Sequence, residues 1–248
     1  MRGLAGKGTL ITGGTSGIGL ATARRFLDED ARVFVVGNDR AELDSALPTI
    51  SGAGGTVADV SLEPDVERLV AEAEGFLSGI DVLINNAGIA VTAPFLETPV
   101  DGWDRTIAVN LRGMFLVARA VARRMAGGRR PGTIVNMAST NALGGETGFT
   151  AYNASKGGVL QLTRTMAVEL GAQGIRVNCL CPGFIDTPLN RALADEDAFV
   201  AYERSQIPLG RRGTADEVAA AYAFLASDDA SFIHGAALVV DGGQTAVM

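Results

Sequence analysis

An alternation of short apolar runs with longer amphipathic ones constrains this chain more than any single residue does. GTLIT (8–12), RVFVV (32–36), GTVA (55–58), DVLIN (81–85), TIVNMAS (133–139), RVNCLC (176–181) and ALVVD (237–241) have the length and β-branched content of strands. Patterns of helical length stand between them, at 19–29, 65–77, 102–125 and 151–172. Strands separated by helices must cross over, and right-handed crossovers lay them parallel with helices on both faces. Near-continuous apolarity in VFVV and ALVV fits strands covered on both sides. The expected class is therefore α/β, a doubly wound seven-stranded parallel sheet. With no linker rich in proline or serine and no internal repeat, residues 1–248 read as one domain. Residues 184–210 break the alternation, with short helical patterns between prolines where a simple crossover would be shorter. A mobile substrate lid or a plain surface excursion would both account for them.

The formal charge of −7 leaves no broad basic face for nucleic acid or an anionic membrane. No uninterrupted apolar stretch reaches membrane-spanning length, and the N-terminus lacks the apolar core of a signal peptide, so a cytoplasmic protein is expected. Cys179 and Cys181, spaced C-x-C, have only His234 as a possible companion ligand in the imidazole class. Two thiols packed along a strand are expected, and no metal. His234, the single histidine, reads as a loop residue beside the last strand. A histidine general base, and with it most hydrolase triads, is not expected.

Two stretches carry chemistry. After the first run comes TGGTSGIG (12–19), in which Gly13, Gly14, Gly17 and Gly19 lead into a helix. Glycine there permits positive φ and lets backbone N–H groups approach a pyrophosphate at the helix N-terminus. The spacing G-x-x-x-G-x-G is not a P-loop, and a tight turn without ligand would also use it. The second stretch, TAYNASKGGV, sets Tyr152 and Lys156 four apart, thirteen residues after Ser139. Residues at that spacing share a helix face, so both side chains can enter one cleft. A tyrosine ionises near pH 10 and a nearby ammonium favours its phenolate, which brings it towards a range useful for general acid–base work.

The glycine pattern, NNAG (85–88), Asn110, Ser139, YNASK (152–156) and PG (182–183) together resemble the short-chain dehydrogenase/reductase family over essentially the whole chain. The resemblance implies a Rossmann-like sheet with NAD(H) or NADP(H) bound above its C-terminal edge. It assigns Gly13, Thr15, Ser16, Gly17, Ile18 and Gly19 to the phosphate turn, and Asp59 and Val60 to the adenine. Asn86, Ala87 and Gly88 would border the cofactor, with Asn86 also stabilising the sheet. Pro182, Gly183, Ile185 and Thr187 would lie at the nicotinamide end. It further implies that Tyr152 exchanges a proton with the substrate oxygen while hydride moves between the nicotinamide and the substrate carbon. Lys156 would grip the nicotinamide ribose, Ser139 would orient the substrate oxygen, and Asn110 would perturb its helix and hold a water linking Lys156 to solvent.

Family members that use NAD carry an acid at the position matching Gly37, and those that use NADP a basic residue matching Asn38 or one near Ser16. This chain has neither. Asn38 suits a neutral ribose, and Asp39 disfavours a 2′-phosphate unless Arg40 turns inward, so NAD(H) is expected over NADP(H). Asn141, Glu146 and Phe184, with Leu143, Phe149, Leu189 and Asn190, are the candidate substrate lining. They would serve either a polyol or sugar, through Asn141 and Glu146, or a cyclic or aliphatic ketone against Leu143 and Phe184. Two alternatives stand beside this small-molecule reading. One is reduction of a 3-oxoacyl group on an acidic acyl carrier protein docked at Arg123, Arg124, Arg129 and Arg130; the other is a regulator that binds the dinucleotide without turnover. The resemblance also implies a homotetramer built through helices 102–125 and 151–172 and through the last helix and strand. The C-terminal DGGQTAVM is expected against a neighbouring subunit.

Overall fold

All seven apolar runs form strands in the computed structural model, which describes residues 1–128, 130–191 and 196–247. They are β1 (Gly8–Thr12), β2 (Arg32–Gly37), β3 (Gly54–Val57), β4 (Val82–Asn85), β5 (Gly132–Met137), β6 (Ile175–Pro182) and β7 (Ala237–Val240). Every neighbouring pair is parallel, in the order β3-β2-β1-β4-β5-β6-β7. The helices are α1 (Gly17–Asp28), α2 (Arg40–Ala46), α3 (Glu63–Leu77), α4 (Val100–Ile107), α5 (Met114–Gly127), α6 (Thr150–Leu170), α7 (Pro188–Arg191), α8 (Glu196–Gln206) and α9 (Ala215–Ala226).

Successive side chains on a strand point to opposite faces, and here they enter two cores. Leu10, Phe34, Leu83 and Ile134 pack with Leu69 and Val70 of α3 and Val117 and Val121 of α5. Ile11, Val33, Val35, Ile84 and Val135 pack with Phe26 of α1 and Val218 and Tyr222 of α9. Each such buried side chain contributes about 1.5–3 kcal/mol, so the frame that holds the strand ends is stiff. Strand order reverses between β1 and β4, and a ligand crevice is expected beyond the carboxyl ends of the strands at such a point.

Three elements depart from the sequence pattern. The expected single helix over 102–125 is α4 and α5 joined by a π-helical turn, Ala108–Gly113, centred on Asn110. Helices α2 and α9 were not among the amphipathic patterns read from the sequence. α2 is only seven residues long, and α9, AAAYAFLA after its first turn, is too uniformly apolar for a clear stripe. The 184–210 segment contains α7 and α8, and its residues 192–195 lie outside the described ones, as do Arg129 and Met248.

Candidate active site

The glycine turn is built by contacts that tolerate no side chain. Gly13 (φ +63°) and Gly17 (φ +49°) adopt left-handed backbone. A Cβ on Gly13 would come within 2.9 Å of Ala87 Cα, and one on Gly19 within 1.9 Å of the Gly13 carbonyl oxygen. Asn86 closes the turn from β4, its Nδ2 donating to the carbonyls of Thr12 and Gly13 at 3.1 Å each. Thr12 Oγ1 accepts from the N–H groups of Asn86 and Ala87 at 3.0 and 3.1 Å. Ser16 caps α1 without a side-chain bond and no acid stands in the first turn, so the leading N–H groups of a twelve-residue helix face the cleft. A diphosphate fits this cradle on charge and on space.

The cleft above the strand ends encloses about 680 Å³ and gathers most of the sequence candidates. Thr15, Ser16, Ile18 and Asn38 line one end, Asp59 and Val60 the adjoining wall, and Asn86 to Gly88 the floor. Pro182, Gly183, Ile185 and Thr187 line the far side, with Thr187 packed over Gly17. Gly19, Asn110 and Leu143 do not line it. Gly19 serves turn packing, Asn110 sits behind the floor, and Leu143 is exposed to solvent.

At the reacting end, Lys156 is 2% exposed and donates from Nζ to the Met137 carbonyl at 2.8 Å. Its ammonium lies 5.3 Å from the centroid of the Tyr152 ring. Burial pulls Lys156 down from the ordinary lysine value to about 8. Burial pushes Tyr152 up to about 12, against a hydrogen bond from Ser139 that favours the phenolate. Desolvation of the phenolate thus outweighs the surroundings that favour it, and Tyr152 holds its proton as a phenol suited to donate.

Asn110 is fully buried in the π turn and brackets one residue of the loop after β4. Its Oδ1 accepts from Ile89 N–H and its Nδ2 donates to the Ile89 carbonyl, both at 2.8 Å. Nδ2 also donates to Ser155 Oγ at 3.1 Å. Both amide hydrogens are thus engaged within the protein. Asn110 Oδ1 and Lys156 Nζ would lie 3.3 and 3.6 Å from a Cβ on Gly88, so a side chain there would press on Asn110.

Ser139 Oγ donates to Asn141 Oδ1 at 3.0 Å. Asn141 Nδ2 in turn donates to Glu146 Oε2 at 2.8 Å and to Asn153 Oδ1 at 2.7 Å. The candidate hydrogen-bonding groups of the substrate wall therefore bind one another. Leu189 and Asn190 also line the cleft, and an aromatic surface adjoins them: Phe149 meets Tyr152 edge-on at 5.9 Å, and Phe184 packs on Phe199 at 5.0 Å and on Tyr202 at 5.2 Å.

Several lining residues were not read from the sequence. Phe199 and Tyr202 belong to α8, which turns its rings inward. Gln244 also lines the cleft, donating to Tyr202 Oη at 2.8 Å. The start of the C-terminal segment thus packs on its own subunit. Glu42 reaches the cleft from α2 and accepts from Thr15 Oγ1 at 3.0 Å. The spacing D-x-x-E at 39–42 was its available signal, since an N-cap acid three residues before a glutamate turns that side chain back over the helix start. Asp39 is that cap, accepting from Glu42 N–H at 2.9 Å, and Arg40 lies outside the cleft beside Asp44.

A family model described as Enoyl-(Acyl carrier protein) reductase matches residues 13–245. Glucose 1-dehydrogenase of Gluconobacter oxydans (strain 621H) is 39% identical over 246 residues, 97% of this chain and 92% of that protein. The chain belongs to the short-chain dehydrogenase/reductase family. Another short-chain dehydrogenase/reductase relative, 3beta-hydroxysteroid dehydrogenase 1 of Eggerthella lenta, is 41% identical over 250 residues, 98% of this chain and 95% of that protein. The crystal structure of levodione reductase matches with a TM-score of 0.94 at 36% identity, covering 98% of this chain and 99% of that one. As a short-chain dehydrogenase/reductase, the chain is an NAD(P)-dependent oxidoreductase that acts on CH–OH groups and the corresponding carbonyls. No helix among the described residues is long and apolar enough to cross a membrane.

Proposed function

We propose that this enzyme interconverts a cyclic or aryl-bearing secondary alcohol and its ketone, with NAD(H) as the preferred dinucleotide. The observation that carries the substrate class is the aromatic wall of Phe149, Phe184, Phe199 and Tyr202 beside Tyr152. Flat apolar rings gain from such a surface, whereas a polyol needs free donors and acceptors. Asn141 and Glu146, the groups a polyol would use, are bonded to each other. Of the relatives' names, hydroxysteroid fits this wall better than glucose does.

Ile185 and Thr187 would hold the nicotinamide, which when bound would supply or take the hydride. Tyr152 gives its phenolic proton to the carbonyl oxygen in reduction and recovers one from the hydroxyl in oxidation. Ser139, its hydroxyl held by Asn141, fixes the direction from which that oxygen is met. Lys156 carries the positive charge that favours a developing phenolate in the closed site. The aromatic wall excludes water from the same volume.

Reduction of an acyl-carrier-bound substrate draws less support. Arg124 pairs with Glu74 and Arg130 donates to the Ser78 carbonyl at 3.2 Å, so two of the four arginines of the expected docking cluster are engaged within the chain. The groove between α5 and α6, with Phe115, Met166 and Leu170 on its walls, supports self-association and agrees with a homotetramer. Following NADH absorbance across cyclic ketones, sugars and 3-oxoacyl thioesters tests the substrate class. The reading requires cyclic ketones to have the highest kcat/KM, and faster turnover of sugars or thioesters would overturn it.

A further inference from the structure

We infer that Glu42, held by Thr15, is the residue through which this enzyme discriminates NAD(H) from NADP(H). The inference rests on the NAD(H) preference proposed above and gives it a residue. At the end of β2, where an acid would be expected to meet the ribose, the chain has Gly37. A Cβ there would lie 2.5 Å from Thr15 Cγ2 and 3.0 Å from Thr15 Oγ1, so Thr15 occupies the place of a side chain. The same threonine donates from Oγ1 to Glu42 Oε2 at 3.0 Å. A carboxylate therefore stands at the junction of the glycine turn and the second strand, delivered from the helix instead of the strand end.

Its position is fixed from three sides. Gly14 N–H donates to the Val36 carbonyl at 3.0 Å, which ties the glycine turn to β2. Asp39 caps α2 through the backbone N–H of Glu42 itself, at 2.9 Å. Leu43, the next residue, is fully buried and anchors the helix to the core. With Oε2 taken by Thr15, the second carboxylate oxygen remains for another donor, and a ribose 2′-hydroxyl is a neutral donor of that kind.

A 2′-phosphate would bring between −1.5 and −2 charges against the same carboxylate. Among the described lining residues the cations are Arg105 on α4 and Lys156 on α6, neither on the connections that follow β1 and β2. Arg40 is directed to Asp44, 3.7 Å away on the exposed face of α2. Among the described lining residues, no cation at this end offsets the repulsion.

The test uses binding alone: dissociation constants of NADH and NADPH by nicotinamide fluorescence, and of 5′-AMP and 2′,5′-ADP by calorimetry, without substrate. Wild type should bind NADH and 5′-AMP more tightly than their 2′-phosphorylated counterparts. Glu42→Gln should narrow both ratios by about tenfold or more, the size of one charge-assisted interaction, and Glu42→Arg should invert them. Thr15→Val, which frees the carboxylate, should narrow them less. If wild type already favours NADPH, the NAD(H) preference itself is wrong. If wild type favours NADH and neither Glu42 variant moves the ratios, the preference stands and Glu42 is not its source.

Discussion

A lysine buried beside a half-buried tyrosine is held there against its own solvation. Taking Lys156 from its ordinary 10.5 to about 8 corresponds to about 3 kcal/mol of penalty on the charged form. Because the folded value lies below the unfolded one, the unfolded chain holds the extra proton between pH 8 and 10.5. Stability from this group therefore rises with pH across that window and is flat below it. Lys156→Met should accordingly be more stable than wild type at pH 7 and lose about 3 kcal/mol of that advantage by pH 10.5. Urea melts of both proteins at several pH values measure this, and parallel curves would refute it. Tyr152→Phe addresses the neighbouring group. Removing the hydroxyl should lower kcat by roughly 10²–10⁴-fold, the range of general acid–base catalysis, while NADH binding by fluorescence stays near wild type. Comparable loss of binding and of rate would assign Tyr152 to the cofactor and not to proton transfer.

Among the elements, the π turn is the one whose geometry is least ordinary, and Asn110 accounts for it. A widened turn places residue 110 where its amide can take both backbone groups of Ile89, which fixes the loop that carries Gly88 to the floor of the cleft. Asn110→Ala leaves both groups without that partner and should lower stability by about 2 kcal/mol, seen as a lower urea midpoint with an unchanged m-value. An unchanged midpoint would mean that the loop is held by other contacts. This element also marks where reading the sequence stops. The strands were legible because each is apolar on both faces and short, and Asn110 stood out as a poor helix former inside a long helical pattern. Its partner Ile89 was not legible, since a contact 21 residues away leaves no periodic trace. Glu42 was hidden for a related reason: α2 is too short for an apolar stripe, and attention fell on Asn38, Asp39 and Arg40, the residues nearest the strand. The aromatic wall was half legible, through Phe149 and Phe184, because Phe199 and Tyr202 reach it only when α8 folds back.

On the scale of the whole molecule, α6 takes part in both the cleft, through Tyr152 and Lys156, and a second, outer groove shared with α5. The groove between those two helices is lined by Phe115, Ala118, Ala122, Met166 and Leu170, with Arg119 stacked 5.1 Å from the Phe115 ring. Phe115 is 41% exposed, so a charge in its place disturbs a surface and not the core. If copies of the chain associate through this face, burying Phe115 contributes about 1–2 kcal/mol per ring at each contact. A glutamate there sets a carboxylate against an apolar partner and against its own symmetry mate. Wild type should therefore sediment as an assembly of four 25.6 kDa chains, and Phe115→Glu as a smaller species with the same far-ultraviolet circular dichroism. A wild-type monomer would remove the tetramer from the reading. A variant that sediments like wild type would move the interface away from α5 and α6, towards α9 and β7. Because α4, the π turn and α5 run on from one another, association along this face would also steady Asn110. Dilution below the dissociation constant of the assembly should then weaken NADH binding in wild type, but not in Phe115→Glu, whose smaller species has no such contact to lose.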